Sequence, residues 1–167
     1  MLPGLILKPL KRIPDERGSF TEIFRSDWKD LIGEETIAQA NLSVSYPGMI
    51  RAWHKHERGQ IDYFVVIKGS LKICAYDDIT GELDEVISTS ENLQVVKVPG
   101  HYWHGFKVVG NETAMLVYVV NRPYDYTKPD ELRTSWNDPK IIPKLINGKM
   151  EDARVGKPWD WLFPPHK

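Results

Sequence analysis

The feature that most constrains the fold is a dense series of short β-type segments through the middle of the chain. Residues 62–76, 92–98 and 113–121 are rich in β-branched and aromatic side chains and are bounded by glycine and proline. Two more strands are predicted at residues 37–45 and 49–56, on either side of a Tyr-Pro-Gly turn. Many short strands at short spacing indicate an all-β sandwich or barrel.

Helix signals are few. Ser26 as N-cap and Gly33 as the stop predict one short helix between them. Residues 123–167 are rich in Pro, Asp and Lys, and we expect them to form an ordered wrap or short turns, with Trp159 and Trp161 as packing anchors. A chain of 167 residues fits one domain, here residues 1–167, and is long enough to bury a core.

Composition excludes several classes of function. Lys and Arg number 22 against 23 Asp and Glu, and this near-neutral balance argues against a nucleic-acid binder. No apolar run approaches the roughly 20 residues of a membrane helix. The N-terminus lacks the charged region that precedes the apolar stretch of a signal peptide. The one cysteine, Cys74, cannot form an internal disulfide. We therefore expect a cytoplasmic protein with no nucleic-acid or membrane partner.

The densest cluster of candidate chemistry is the run from Arg51 to His56. On a regular strand His54 and His56 point to one face, and Arg51 and Trp53 point to the other. Two surface histidines on a sandwich exterior would be the ordinary interpretation. Asp62, however, opens a strand whose alternate positions are core-type residues, and a carboxylate at the mouth of an apolar face needs a partner.

The order of these residues resembles that of a metal-binding cupin. That pattern has a Gly, a His-x-His, an acid before the next Gly, then a Pro and a later His, and here it runs through Gly48, His54, His56, Asp62, Gly69, Pro99 and His104. Three imidazoles and a carboxylate suit Fe, Mn, Ni, Cu or Zn. One hypothesis is therefore a metal-dependent cupin isomerase or oxygenase that uses His54, His56, Asp62 and His104.

Five further motifs resemble one family, the dTDP-4-dehydrorhamnose 3,5-epimerases. They are Asp-Glu-Arg-Gly with a later Phe and Glu at residues 15–22, Gln-x-Asn at 39–41, Gly-x-x-Arg-x-x-His at 48–54, His-Gly-Phe at 104–106 and Trp-Asn-Asp-Pro at 136–139. The resemblance implies an all-β, cupin-type jelly roll or β-sandwich with a few short peripheral helices, and a homodimer. It also implies an epimerase that acts on a nucleotide-linked 4-keto-6-deoxy sugar, inverting C3, C5 or both, without a cofactor.

The resemblance also implies roles for individual residues. His54 matches the general base, which removes a proton beside the C4 ketone, and Tyr118 matches the acid on the opposite side. The alternative for Tyr118 is a core tyrosine with its hydroxyl at the rim. Asp152, with Asp160 as second choice, is our candidate for the late aspartate that orients the base. The residues expected to bind substrate are Arg17, Phe20, Glu22, Gln39, Asn41, Arg51, His56, Asp62 and His104.

Two departures from the family pattern bear on the reaction. Asp62 stands where the family has a lysine near the enolate oxygen, and a carboxylate would repel an enolate. His56 replaces a glutamine, and a protonated His56 held by Asp62 would restore a cation. The same two changes would also build a metal site. A third hypothesis is a sugar-nucleotide-binding cupin that retains the pocket without the chemistry.

Overall fold

The computed structural model describes residues 1–162, and its regular secondary structure is almost entirely β-strand. The first sheet is antiparallel and has the spatial order β1 (Ile6–Pro9), β9 (Gln94–Pro99), β6 (Ile61–Lys68), β11 (Ala114–Val120) and β4 (Gln39–Ser45). The second has the order β12 (Leu132–Arg133), β5 (Ile50–Lys55), β10 (Trp103–Val109), β7 (Ser70–Tyr76), β8 (Glu82–Thr89) and β13 (Leu145–Ile146). A separate hairpin joins β2 (Ile13–Asp15) to β3 (Gly18–Phe20). The prediction of an all-β sandwich is confirmed.

The short helix α1 (Lys29–Ile32) lies against the outer face of the five-stranded sheet. The predicted N-cap was wrong: Trp28 occupies that position, and Ser26 lies in the preceding turn, where Arg25 pairs with Asp27. The predicted stop is confirmed, because Gly33 adopts a left-handed φ of 63° and its N–H donates to the Lys29 carbonyl. Within residues 1–162 no helix has the length and apolarity needed to cross a membrane.

The alternation of side chains along the strands divides the apolar residues between the core and the outer faces. On β6, Phe64 and Val66 point into the space between the sheets, whereas Tyr63 and Val65 pack outside against α1. Asp62 precedes Phe64 by two positions and is therefore carried toward the interior with it. The sequence prediction that Asp62 shares the core face of this strand is confirmed.

The segment that follows β12 wraps the outer face of the six-stranded sheet. Trp159 and Trp161 are buried there together with Trp53 of β5, and the ring centroids of Trp53 and Trp161 are 4.8 Å apart. The two late tryptophans are therefore packing anchors, as the sequence predicts. Residues 163–167 of the predicted wrap lie outside the described residues.

Candidate active site

A pocket of about 1040 Å³ is lined by residues of both sheets and by the segment that follows β11. Strand β5 provides His54, His56 follows the end of β5, β6 provides Asp62, and β4 and β11 provide the other wall. Seven residues that the sequence predicts for the site line this pocket: Gln39, Asn41, Arg51, His54, His56, Asp62 and Tyr118. His104 lies beside Asp62 and His54 and is fully buried.

An irregularity in β5 changes which side chains reach the pocket. His54 pairs with His104 of β10, and Arg51 pairs with Phe106, so four residues of β5 lie opposite three of β10. Such a bulge resets the alternation of side chains, and paired residues of neighbouring strands share a face. Arg51 therefore lies on the same side as His54 and lines the pocket with it. The prediction that the two point to opposite faces was wrong.

The three histidines form a compact group. The centroid of the His54 ring lies 4.1 Å from that of His104 and 5.9 Å from that of His56. Asp62 completes the group, with its Oδ2 atom 3.2 Å from Nε2 of His104 and 3.5 Å from Nε2 of His56. The side-chain amide of Gln60 donates to Nε2 of His56 at 3.1 Å and to Oδ1 of Asp62 at 3.2 Å. The fold thus brings His104 of β10 into one cluster with three ionisable residues of the segment 54–62.

Electrostatics sets the protonation of the two groups predicted to be catalytic. Burial, with His104, His56 and Arg133 nearby, lowers the pKa of His54 well below its ordinary value, so the imidazole is neutral and able to accept a proton. Burial and the neighbouring Asp62 raise the pKa of Tyr118, so its hydroxyl keeps its proton. His54 lies on the six-stranded sheet and Tyr118 on the five-stranded sheet. A base and an acid therefore line one pocket from its two walls.

The polar wall formed by β4 is held in place by a chain of hydrogen bonds. The Gln39 amide donates to Asn41 Oδ1 at 2.7 Å, and the backbone N–H of Tyr124 donates to Gln39 Oε1 at 2.8 Å. Arg51 donates through Nε to Ser45 Oγ at 2.9 Å. These contacts fix the direction of side chains that face the pocket. Their predicted role in substrate binding stays a prediction.

Several polar and aromatic lining residues were missed by the sequence analysis. They are Arg58, Gln60, Arg122, Tyr124, Tyr126, Asp130, Glu131 and Arg133. The position of Gln60 could have been read from the sequence, since it lies two positions before Asp62 and directly precedes the alternating strand β6. Arg133 had none, because it reaches His54 through β12, a strand of only two residues without periodicity.

Three residues predicted to bind substrate lie outside the pocket of their own chain. Arg17 and Phe20 belong to the β2–β3 hairpin region, whose strand residues are all exposed, and Glu22 follows it and pairs with Arg25. Arg17 itself forms an ion pair with Asp15 at 2.6 Å. Within the described chain, the hairpin pairs with neither large sheet. A single chain therefore does not bring these side chains to the pocket.

Asp152 does not lie where a residue that orients His54 would be needed. It lines a second, smaller cavity on the outside of β7 and β8, together with Lys72, Glu85 and Arg154. A bidentate hydrogen bond from Arg154 lowers the pKa of Asp152 to about 2, which marks a structural ion pair. The second choice, Asp160, is exposed and caps the backbone N–H of Leu162. Neither candidate aspartate lines the pocket that holds His54, so the sequence prediction is wrong here.

Comparison with known proteins supports one family. The family model for dTDP-4-dehydrorhamnose 3,5-epimerase matches residues 1–153. The probable low-salt glycan biosynthesis epimerase Agl13 of Haloferax volcanii is 42% identical over 128 residues, which cover 74% of this chain and 81% of that protein. The spore coat polysaccharide biosynthesis protein SpsL of Bacillus subtilis is 33% identical over 146 residues, which cover 84% and 94%.

The fold also matches solved structures. A dTDP-6-deoxy-D-glucose-3,5-epimerase of Legionella pneumophila, crystallised with dTDP-4-keto-L-rhamnose, superimposes with a TM-score of 0.73 at 27% identity, covering 84% of this chain and 78% of that one. A dTDP sugar isomerase of Desulfovibrio desulfuricans gives a TM-score of 0.75 at 23% identity, covering 84% and 89%. These matches confirm the predicted cupin-type jelly roll.

Proposed function

The chain belongs to the dTDP-4-dehydrorhamnose 3,5-epimerase family, and we propose that it epimerises a nucleotide-linked 4-keto-6-deoxy sugar for glycan biosynthesis. The observation that carries this proposal is the placement of His54 and Tyr118 on opposite walls of one pocket. Inversion of a carbon requires proton removal from one face and proton return to the other. The two residues have the protonation states that these steps need.

The proposed reaction is a pair of balanced proton transfers. The neutral His54 imidazole takes the proton from C3 or C5, the C–H electron pair moves into the bond to C4, and the ketone oxygen becomes an enolate. The Tyr118 hydroxyl then protonates the same carbon from the other face, and the ketone re-forms. A proton returns from the imidazolium to the phenolate through solvent, which restores both groups.

The proposal assigns the nucleotide diphosphate to the arginines of the pocket. Among residues 1–162, neither Arg51 nor Arg122 forms an ion pair with a carboxylate, so both guanidinium groups are available for phosphate oxygens. Tyr124 and Tyr126 meet edge to face at the pocket rim, with ring centroids 4.9 Å apart. Their exposed rings provide a surface on which a nucleobase stacks.

The test is the wash-in of solvent deuterium. Incubation of dTDP-4-keto-6-deoxyglucose with the protein in deuterated buffer is expected to add one or two deuterons, and proton NMR locates them at C3 or C5. The matched control is dTDP-glucose, which lacks the ketone and is expected to stay unlabelled. Binding of nucleotide-linked 4-keto sugars without any exchange would contradict the proposal and favour a non-catalytic binding protein.

We further propose that two copies of the chain associate as a homodimer through the free edge of the five-stranded sheet. Among the described residues strand β4 pairs only with β11, and it exposes Leu42, at 62%, and Val44. Phe20 on the projecting hairpin is 63% exposed. Association along this edge would cover apolar surface and an unpaired strand. It would also let the hairpin of one copy approach the pocket of the other, where its predicted substrate contacts are needed.

The dimer is tested by light scattering coupled to size-exclusion chromatography. The wild-type protein is expected to have twice the mass of one chain, and Leu42→Asp is expected to shift it to a single chain. Ile79→Asp is the matched control, because Ile79 is also an exposed apolar residue, at 87%, but lies in the hairpin turn between β7 and β8 of the other sheet. A dimer that Leu42→Asp leaves intact would place the interface elsewhere. The cytoplasmic location stays a prediction.

A further inference from the structure

The carboxylate of Asp62 is buried without a permanent cation. Asp62 is only 2% exposed, and within the described part of the chain no Lys or Arg forms an ion pair with it. Its Oδ2 atom faces Nε2 of His104 and of His56 at 3.2 Å and 3.5 Å. Among residues 1–162, neither Oδ2 of Asp62 nor Nε2 of His104 completes a hydrogen bond. A buried charge in this position needs a partner.

The outer contacts of the two histidines determine which nitrogen faces the carboxylate. Nδ1 of His104 donates to the backbone carbonyl of Tyr102 at 2.8 Å, and Nδ1 of His56 donates to the backbone carbonyl of Asp130. A carbonyl only accepts, so in the neutral rings the hydrogen is on Nδ1 and the lone pair is on Nε2. Two nitrogen lone pairs therefore face one carboxylate oxygen, and of these only the lone pair of His56 has a donor in the described chain, the Gln60 amide. That arrangement is repulsive until a cation lies between them.

The spacing of these atoms fits a metal ion. Around an ion with ligand distances of about 2.1 Å, neighbouring ligand atoms are about 3.0–3.4 Å apart. The two separations between Asp62 Oδ2 and the histidine Nε2 atoms, 3.2 Å and 3.5 Å, are close to that range. Ligand nitrogens of all three histidines lie within 4.8 Å of one another. Hydrogen bonds from Nδ1 to carbonyls are also the outer contacts that metal-binding histidines require.

We propose that His56, His104 and Asp62 bind one divalent transition metal at the floor of the pocket. Two imidazoles and one carboxylate leave coordination positions open and suit Fe²⁺, Mn²⁺, Co²⁺, Ni²⁺ or Zn²⁺. The ligand nitrogen of His54 also lies within 4.8 Å of those of His56 and His104, but the proposed reaction needs its free imidazole as the base, so the proposal leaves His54 outside the ligand set. The side-chain amide of Gln60, which now contacts His56 and Asp62, is the group that the metal displaces.

The metal has a role that rests on the proposed function. The enolate formed beside C4 carries negative charge on the former ketone oxygen, and the Asp62 carboxylate would repel it. A divalent ion held by Asp62, His56 and His104 would supply positive charge beside that oxygen and offset the repulsion by the carboxylate. The two departures from the family pattern, Asp62 and His56, are then both ligands of the same ion. His54 remains free to remove the proton.

The test measures Co²⁺ in untagged protein that has been stripped with a chelator and dialysed against Co²⁺. Elemental mass spectrometry is expected to give about one ion per chain, with visible d–d absorption from nitrogen and oxygen ligands. Asp62→Asn, which keeps the side-chain shape, and His104→Gln are each expected to weaken binding more than the roughly 100-fold upper effect of losing an outer contact. His101→Gln, on an exposed histidine outside the cluster, is the matched control and is expected to keep the ion.

The outcomes separate the metal from the epimerase. No uptake of Co²⁺, Zn²⁺, Mn²⁺ or Fe²⁺ by folded wild-type protein would overturn the metal site and leave a shared proton between Asp62 and the histidines. Uptake unchanged in folded Asp62→Asn would overturn the assignment of ligands. A loss of Co²⁺ in His54→Gln as large as in His104→Gln would overturn the three-ligand set. Metal binding without deuterium exchange would contradict only the epimerase proposal, and full exchange in stripped protein would contradict only the metal's role.

Discussion

Replacement of His54 by glutamine is expected to lower the rate of deuterium wash-in about 1,000-fold, within the roughly 10²–10⁴-fold contribution of a positioned general base. Glutamine keeps polarity and approximate size but cannot accept the proton. His54 is the neutral imidazole that lines the pocket beside the ketone's expected position, and its low pKa keeps it in the basic form. The measurement is the initial rate of label incorporation under saturating substrate.

Tyr118→Phe provides the contrast for this experiment. It removes only the hydroxyl that returns the proton on the other face, so exchange by His54 continues while formation of the epimer falls. The Tyr118 ring packs beside Phe64, with centroids 5.8 Å apart, and phenylalanine preserves that contact. Wild-type exchange in His54→Gln would show that another group is the base. Equal loss of exchange in both variants would show that the two steps are not separable.

Gly105→Ala is expected to lower the free energy of unfolding by about 3 kcal/mol and to disrupt the site. A β-carbon at this position would lie 2.3 Å from Cβ of Ala52 and 2.6 Å from the backbone oxygen of Arg51. Both clashing atoms belong to β5 at its bulge, so relief requires the strand to move away from β10. That movement separates His54 from His104, and exchange is expected to fall together with stability.

Urea denaturation followed by tryptophan fluorescence measures this loss of stability. Gly110→Ala is the matched control, because no atom of the described residues lies within 4 Å of the added carbon. The control has its own backbone cost of about 1 kcal/mol, since Gly110 has a φ of +83°. If Gly105→Ala loses no more stability than Gly110→Ala, β5 is not held against β10 as tightly as the structure shows.

Regular alternation accounts for the part of the site that could be predicted from the sequence. The pattern on β6 placed Asp62 on the same face as Phe64, and the structure confirms it because this strand is regular where the two residues lie. Tyr118 follows the same rule on β11, where its position faces Phe64 of β6. Strands that are long and buried between neighbours leave little freedom for a side chain to face elsewhere.

The rest of the site depends on features that leave no local pattern. The bulge in β5 turns Arg51 toward the pocket, and the sequence 51–56 alone gives no sign of the extra residue. Arg133 reaches His54 only because a two-residue strand pairs across the sheet edge. Asp152 illustrates the converse, since a suitable residue type at a plausible distance along the chain is instead bound by Arg154. Long-range placement decides these cases, and local spacing does not.

The packing of Trp161 on Trp53 has a consequence for how the protein is made. Trp53 immediately precedes His54, yet the ring that covers it comes from a residue more than a hundred positions later. During synthesis the outer face of β5 stays uncovered until residue 161 has left the ribosome, and contacts this distant in sequence form slowly. The strand that carries His54 therefore reaches its final packing among the last events of biogenesis, and a nascent chain released before that point has no competent active site.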